Sequence, residues 1–254
     1  MCGIIGIMDR RSGVPELAER DVARLSHRGP DSRGLHRAEH VALGHARLSI
    51  IDLSEAGRQP MARGRLTIVF NGEIYNYVEL RDELVAAGAT FESSSDTEVI
   101  LAAYERWGAE CVGRLRGMFA VAIWDAAART LFLARDRCGE KPLLYWTDGE
   151  RFCFASEMKA ILPILPGRLS LDPAAVDMYL HYQFVPEPLT PLAGLHKLPA
   201  GHSLTLRLDD DLRQAPCRYW CIEGCGEDVE LPASLPAAIG LLRDSFEESV
   251  RLML

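Results

Sequence analysis

No stretch of the 254-residue chain reaches the roughly 18 consecutive apolar residues that a membrane-crossing helix needs. The start, Met1-Cys2-Gly3-Ile4-Ile5-Gly6-Ile7-Met8, is apolar but lacks a basic leader and stops at Asp9-Arg10-Arg11. It therefore does not read as a signal peptide. Myristoylation would need Gly at position 2, which is Cys here. An excess of positive charge is also missing. Lys and Arg number 28 against 36 Asp and Glu, a net charge of −8, which argues against an electrostatic nucleic-acid or anionic-membrane binder. There is no paired cysteine framework either: seven scattered cysteines fit reduced thiols and a cytoplasmic location. What is present, 48% apolar and 25% charged residues, is the composition of a globular protein and excludes a disordered one. A small ligand or a protein partner is the expected target. At roughly 150 residues per domain, the length predicts between one and two domains.

The apolar periodicity predicts a buried strand over Cys2 to Met8, a helix from Pro15 to Ser26, and strands at Val41 to Ile51 and Thr67 to Ile74. Helices follow at Asn76 to Ala87, stopped by Gly88, and at Asp96 to Trp107, stopped by Gly108. The period then changes to two. Met118 to Trp124, Thr130 to Arg135, Leu143 to Trp146 and Arg151 to Ala155 read as successive antiparallel strands, closed by a helix over Ser156 to Leu162. The first 160 or so residues thus form an α+β domain. Residues 163–233 are punctuated by prolines, with a helix near Asp172 to Gln183 and a strand near Ser203 to Arg207. Residues 236–254 form an amphipathic helix whose apolar face carries Ile239, Leu242, Phe246, Val250 and Met253.

Cys2 is the first residue with chemical potential. Removal of Met1 would leave it with both a thiol and a free α-amine, whose usual pKa of about 7.7–8 lets it accept a proton near neutrality. One residue then supplies nucleophile and base; the alternative is a small buried apolar residue. Asn71-Gly72-Glu73-Ile74-Tyr75-Asn76 offers a backbone N–H beside a side-chain amide, a two-donor oxyanion hole. Asn-Gly is also a common hairpin turn, but a helix follows here in place of a returning strand. Arg47 and Asp96 complement an amino acid: a guanidinium grips a carboxylate, and a carboxylate holds an ammonium. The competing roles are an exposed strand position for Arg47 and a helix N-cap for Asp96.

Taken in order, Cys2-Gly3-Ile4-Ile5-Gly6, His27-Arg28-Gly29-Pro30-Asp31, Arg47-Leu48-Ser49-Ile50-Ile51-Asp52, Asn71 to Asn76, Ser95-Asp96-Thr97-Glu98 and Gly117-Met118-Phe119-Ala120 form a linked set. Arg135-Asp136-Arg137, Lys141-Pro142-Leu143 and Phe154-Ala155-Ser156-Glu157 continue it. The set closely resembles the N-terminal class II glutamine amidotransferase domain of the glutamine-dependent asparagine synthetases, over essentially the whole chain. The resemblance implies an N-terminal-nucleophile (Ntn) hydrolase fold, a four-layer αββα sandwich. It divides the chain into an amidotransferase domain at 1–162, a Pro-rich connecting segment at 163–233, and at 234–254 the first helix of a synthetase domain. It also implies that Cys2 attacks the glutamine carboxamide and releases ammonia through a γ-glutamyl thioester, with Asn71 and Gly72 stabilising the oxyanion. Arg47, Leu48, Ser49, Ile50 and Ile51 would bind the substrate carboxylate end; Asn71, Gly72, Glu73 and Asp96 would bind the amino-acid end.

The family's Ser-Gly-Gly-x-Asp-Ser pyrophosphate loop does not occur in this sequence, whose one Ser-Gly pair is Ser12-Gly13. The implied partners are therefore L-glutamine and a synthetase domain or subunit that receives ammonia; a homodimer is left open. ATP and Mg2+ would belong to that synthetase part, with no cofactor in this chain. The acceptor is aspartate or a specialised carboxylate, and a non-hydrolytic glutamine-sensing scaffold is the alternative of another class. Cys138, Glu140 and Ala200 depart from the usual family residues. Cys217, Cys221 and Cys225 at four-residue spacing raise a metal site, but no His lies near to complete it. His36, His40 and His45 read as loop and strand residues, so no metal is expected.

Overall fold

The computed structural model describes residues 1–11, 13–223 and 232–253. Two antiparallel sheets of six strands each form its centre. In the first, β1 (Gly3–Asp9) lies between β3 (Val41–Arg47) and β9 (Arg151–Ala155); β2 (Ser32–Ala38) borders β3, and β8 (Leu144–Thr147) and β10 (Leu195–Lys197) extend the other side. The second runs β12 (Cys217–Arg218), β11 (His202–Arg207), β7 (Thr130–Arg135), β6 (Gly117–Asp125), β5 (Leu66–Ile74), β4 (Met61–Arg63).

Alternation along the strands gives each sheet two apolar faces, and the core divides accordingly. Ile4, Met8, Leu43, Phe152 and Phe154 of the first sheet meet Val69, Ala122, Trp124, Leu131 and Leu133 of the second. The second sheet's other face, with Ile68, Phe70, Val121 and Phe132, is covered by α2 (Tyr77–Ala86) and α3 (Asp96–Trp107). Ile5, Ile7 and Ala42 on the first sheet's outer face are covered by Val22 of α1 (Glu19–Ala23) and by Ala160 and Ile161 of α4 (Met158–Ile161). The layers are therefore helix, sheet, sheet, helix, as the resemblance implied. Residues 195–218 supply β10, β11 and β12 to these sheets, and α5 (Pro173–Tyr182) precedes them. The last helix, α6 (Leu235–Met253), exposes Leu242 and Phe246 to solvent.

Several elements differ from the sequence-based expectation. The strand begun at Val41 ends at Arg47, not Ile51, because the chain turns out to form a cleft wall: the Ser49 N–H donates to the Asp31 carboxylate at 2.8 Å. The four strands after Met118 are two hairpins in different sheets, β6–β7 and β8–β9. The crossing loop between them is organised by buried Asp136, whose carboxylate accepts the N–H groups of Phe119, Cys138, Glu140 and Lys141 at 2.9–3.2 Å. The first helix is shorter than expected, since Asp21 reaches back to the Ala18 N–H at 3.0 Å and starts it there. Ser156 is not helical: its backbone N–H donates to the Ile4 carbonyl and its hydroxyl accepts the Ile4 N–H, continuing the sheet. The edge strand β2 lacks a continuous apolar face and gave no periodic signal.

Candidate functional site

Antiparallel pairing sets Gly3 opposite Ala46, which brings the start of central strand β1 to the end of β3. Cys2 and Arg47 therefore arrive at one place. The end of β5 reaches the same corner from the other sheet, and the N-terminus of α3 closes it. Between them lies a cleft of about 610 Å3, counting its open mouth, lined by Cys2 just ahead of β1 and by residues of β3, β5 and α3.

Of the residues expected from sequence, Cys2, Arg47, Leu48, Ile50, Ile51, Asn71, Gly72, Glu73 and Asp96 all line this cleft. Ser49 does not; its N–H is engaged by Asp31 on the loop's far side. Met1, Asp52, Gln59, Thr97 and Lys141 line it as well.

The Cys2 Sγ accepts the Leu48 N–H at 3.3 Å and donates toward the Leu48 carbonyl at 3.5 Å. Burial pushes the thiol above its ordinary value, against the lowering pull of the Leu48 N–H and of Arg47. The resting group is thus a protonated thiol, and it needs a base to become a nucleophile. Met1 stands at the cleft with its sulfur 3.4 Å from the Lys141 Nζ. While Met1 is attached, the amine of Cys2 is an amide and cannot serve as that base.

Strand β5 shows how the electrophilic side is built. Its partner β4 pairs only as far as Ile68, so the outer edge of β5 beyond that point has no neighbouring strand. Side chains take its place: the Phe70 N–H donates to Gln59 Oε1 at 2.6 Å, and the Ile74 N–H donates to Asp96 Oδ2 at 3.1 Å. Strand alternation puts the Gly72 N–H on this same edge, between those two and facing the cleft. A Cβ at Gly72 would lie 2.1 Å from the Met118 carbonyl oxygen, so no larger residue fits. Asn71 is 1% exposed, and neither its Oδ1 nor its Nδ2 has a hydrogen-bond partner among the described residues. A buried amide left unsatisfied on both atoms costs stability. Such an orphan, lining the cleft with Cys2, is a candidate to meet a ligand.

The remaining groups are arranged by charge. The Arg47 guanidinium, 7% exposed, donates Nη1 to the Ser54 carbonyl at 3.0 Å and Nη2 to the Asp52 carbonyl, which leaves other N–H groups of its fork for an anion. Gly57 makes room for it, since a Cβ there would lie 2.4 Å from Nη2. Asp96 is not the N-cap of α3. Ser95 takes that role, accepting the Thr97 N–H at 3.2 Å, and Asp96 is the first helical residue. Burial pushes the Asp96 carboxyl up to about 6, and the nearby Glu73 adds to the effect. A cation at one end and two carboxylates at the other suit a zwitterion.

From the sequence alone Gln59 and Asp52 carry no individual role, and His45 reads as a loop or strand residue. Gln59 and His45 act on main-chain groups and belong to no spacing pattern that would reveal them. Asp52 accepts from Ser54 N at 2.8 Å and Oγ at 2.6 Å and from Ser94 N and Oγ at 3.1 Å, tying the 48–57 loop to the approach of α3. The Ser54 hydrogen bond first, then those of Ser94, hold this carboxyl down to about 2 despite burial. Among the described residues no group of three or more His, Cys, Asp or Glu side chains is placed to hold a metal; Cys225 lies outside them, so the three-cysteine arrangement is not described as a whole. No helix among the described residues is long and apolar enough to cross a membrane.

Comparison with known proteins adds to this geometry. A family profile described as a glutamine amidotransferase domain matches residues 1–220. Asparagine synthetase (glutamine-hydrolyzing) 1 of Bacillus subtilis (strain 168) is 43% identical over 219 residues, covering 84% of this chain and 34% of that protein. Asparagine synthetase (glutamine-hydrolyzing) 3 of the same organism is 39% identical over 231 residues, covering 88% of this chain and 37% of that protein. The chain thus spans little more than a third of the length of these relatives. A solved structure of glutamine phosphoribosylpyrophosphate amidotransferase from B. subtilis, with ADP and GMP, shares the fold at a TM-score of 0.61 and 21% identity, over 86% of this chain and 49% of that one. With a family match over most of its length, this chain belongs to the glutamine amidotransferase domains of the Ntn-hydrolase fold.

Proposed function

We propose that this chain is the glutaminase part of an asparagine synthetase-type amidotransferase, and that Cys2, freed of Met1, is its nucleophile. The observation that carries this reading is the Asn71 amide, buried, unpartnered and in one cleft with Cys2. The α-amine of Cys2, acting through a water, takes the thiol proton, and Sγ attacks the carboxamide carbon of glutamine. Asn71 Nδ2 and the Gly72 N–H receive the oxyanion, a contribution of roughly 10²–10³ in rate per donor. The amine returns the proton to the leaving nitrogen and ammonia departs, leaving a γ-glutamyl thioester. Water, deprotonated by the same amine, hydrolyses the thioester to glutamate. Arg47 grips the substrate carboxylate, Asp96 and Glu73 hold its ammonium, and Leu48, Ile50 and Ile51 wall the carboxylate end.

The ammonia serves ATP-dependent amidation, aspartate to asparagine, on a synthetase part to which ATP and Mg2+ belong. Helix α6 is the opening element of that part: its apolar face carries Ile239, Leu242, Phe246 and Val250, all exposed, and among the described residues its one ion pair to the domain is Glu248 with Arg116 at 3.7 Å. A cytoplasmic location fits this reading, because free glutamine and reduced thiols coexist there.

The test joins mass analysis of the N-terminus to ammonia release from glutamine. The mature protein is expected to begin at Cys2 and to release ammonia, and Cys2→Ala is expected to release none. A protein with free Cys2 that leaves glutamine intact, even beside a synthetase partner, overturns the proposal.

A further inference from the structure

We infer that Gln59 and His45 are positioning residues, which hold the N–H and the C=O of Phe70 on the open edge of β5 and so fix the Asn71 amide for the oxyanion; the inference rests on the glutaminase reading. Among the described residues Asn71 has no hydrogen-bond partner at either end of its side chain. Its aim must come from the backbone that carries it. On the β6 side that backbone is paired, Asn71 with Ala120. On the other side β4 has already ended at the level of Ile68, and an unsupported strand end is free to twist.

Two side chains from different places supply what β4 does not. Gln59 Oε1 accepts the Phe70 N–H at 2.6 Å, while its Nε2 donates to Thr97 Oγ1 at 3.2 Å, so its amide is fixed at both ends. His45, from β3 of the opposite sheet, has its Nε2 3.0 Å from the Phe70 carbonyl oxygen. That nitrogen faces an acceptor and therefore carries the proton. His45 is fully buried, and its Nδ1 has no partner among the described residues. Burial holds the ring down to about 4, so it is a neutral donor across the working range. A neutral imidazole with one nitrogen unsatisfied is a poor choice for packing alone. Its one polar contact spans the two sheets to the residue before Asn71. Neither side chain touches the reacting atoms through these bonds; both act on where Asn71 points.

The decisive measurements use the 254-residue chain with Met1 removed. Gln59→Met and His45→Phe keep the approximate shape, at some added volume for Phe, and remove the hydrogen bonds. Each is expected to lower kcat for glutamine hydrolysis by roughly 10–100-fold with KM within about twofold, the pattern of lost transition-state contacts. Alkylation of Cys2 by iodoacetamide, a displacement that forms no oxyanion, is expected to keep its rate. Combined with Asn71→Ala, neither variant is expected to reduce kcat further, because the group being aimed is already gone. His45→Gln, which retains an N–H donor, is expected to recover part of the loss. If His45→Phe does not fold, Gln59→Met decides.

Folded variants with unchanged kcat, a change confined to KM, or losses that multiply with Asn71→Ala would each overturn the inference. An independent readout is the side-chain amide resonance pair of Asn71, expected to shift or broaden in both variants. If the wild type released no ammonia, the proposed activity would fall, while the positioning inference would be judged on those resonances.

Discussion

Asp96 sits where its charge is costly to the empty protein, and in the proposed function that charge holds the substrate ammonium. Its folded carboxyl titrates at about 6 against an ordinary 3.8, chiefly because burial disfavours the anion. The folded state therefore holds this proton more tightly than the unfolded state. The stability contribution is greatest at low pH and is lost as pH rises from about 4 through 6, a penalty on the order of 3 kcal/mol above that window. Asp96→Asn is accordingly expected to stabilise the free protein at pH 7 by about 1–3 kcal/mol. Glutamine affinity runs the other way: only the anion pairs with the substrate ammonium, so binding to Cys2→Ala protein is expected to weaken as pH falls below about 6. Adding Asp96→Asn should lower the affinity and flatten that profile. Calorimetric titration between pH 5 and 8, flanking the value of about 6, checks both statements, and a slope that survives the substitution would assign the titration elsewhere. At this scale the candidate site was largely legible, since the motifs that carry the resemblance contain Cys2, Arg47, Asn71, Gly72 and Asp96, which the fold brings to one cleft. Gln59 and His45 were not, because their partners are backbone atoms that only the folded sheet edge defines.

Helix α3 extends this argument to an element. Its first two turns, from Asp96 to Ala103, are buried, so the helix start cannot shift without disturbing the cleft. Glu98 fastens that start. It accepts from the N–H groups of Glu92 and Ser93 and from the Ser93 hydroxyl at 2.7–3.1 Å, and it pairs with Arg63 at 3.3 Å. Burial alone would raise its carboxyl, but the hydrogen bonds from Ser93 and Glu92 outweigh it and hold the group below the usual range. Its stabilisation is therefore present near neutrality and lost as pH falls through that lowered value. Glu98→Gln places an amide NH2 against donors. It is expected to cost about 2 kcal/mol and to lower the melting temperature by about 4–8 °C. Because Asp96 rides on the same turn, KM for glutamine should rise more than kcat falls. A thermal melt and steady-state kinetics measure these effects, and an unchanged KM would uncouple the helix start from substrate binding. Both bounds of α3 were readable from Ser95, Asp96 and Gly108, because capping chemistry is local. The end of β3 and the division of β6–β9 between two sheets were not: a loop held by Asp136 and a cleft wall held by Asp31 and Asp52 are long-range arrangements that leave no periodic trace.

For the whole molecule, the question is how much chain the sandwich needs. The strands after residue 162 are short and separated by prolines, and a sequence pattern that lacks a sustained period gives little warning of their place. Yet β10 pairs along β8 and β11 along β7, so each sheet gains an outer strand from this late segment. Leu198, Leu204, Leu206, Leu208 and Leu212 enter the core between the sheets, against Leu131 and Leu133. Arg135 in β7 is tied to the same segment through the Leu198 carbonyl at 2.7 Å and through Glu187, and the Tyr219 hydroxyl donates to the Arg135 carbonyl at 2.7 Å. A chain ending at residue 162 would expose two strand edges together with this apolar surface, the combination that promotes aggregation. One ending at residue 220 would keep the strands and dispense with the exposed face of α6. The expected outcome is a cooperative melt for residues 1–220 close to that of the full chain, with glutaminase activity retained, and no cooperative melt for residues 1–162. Calorimetry of the two truncations decides the matter: a fragment 1–162 that melts as the full chain does would mean that β10 and β11 decorate the sandwich without completing it.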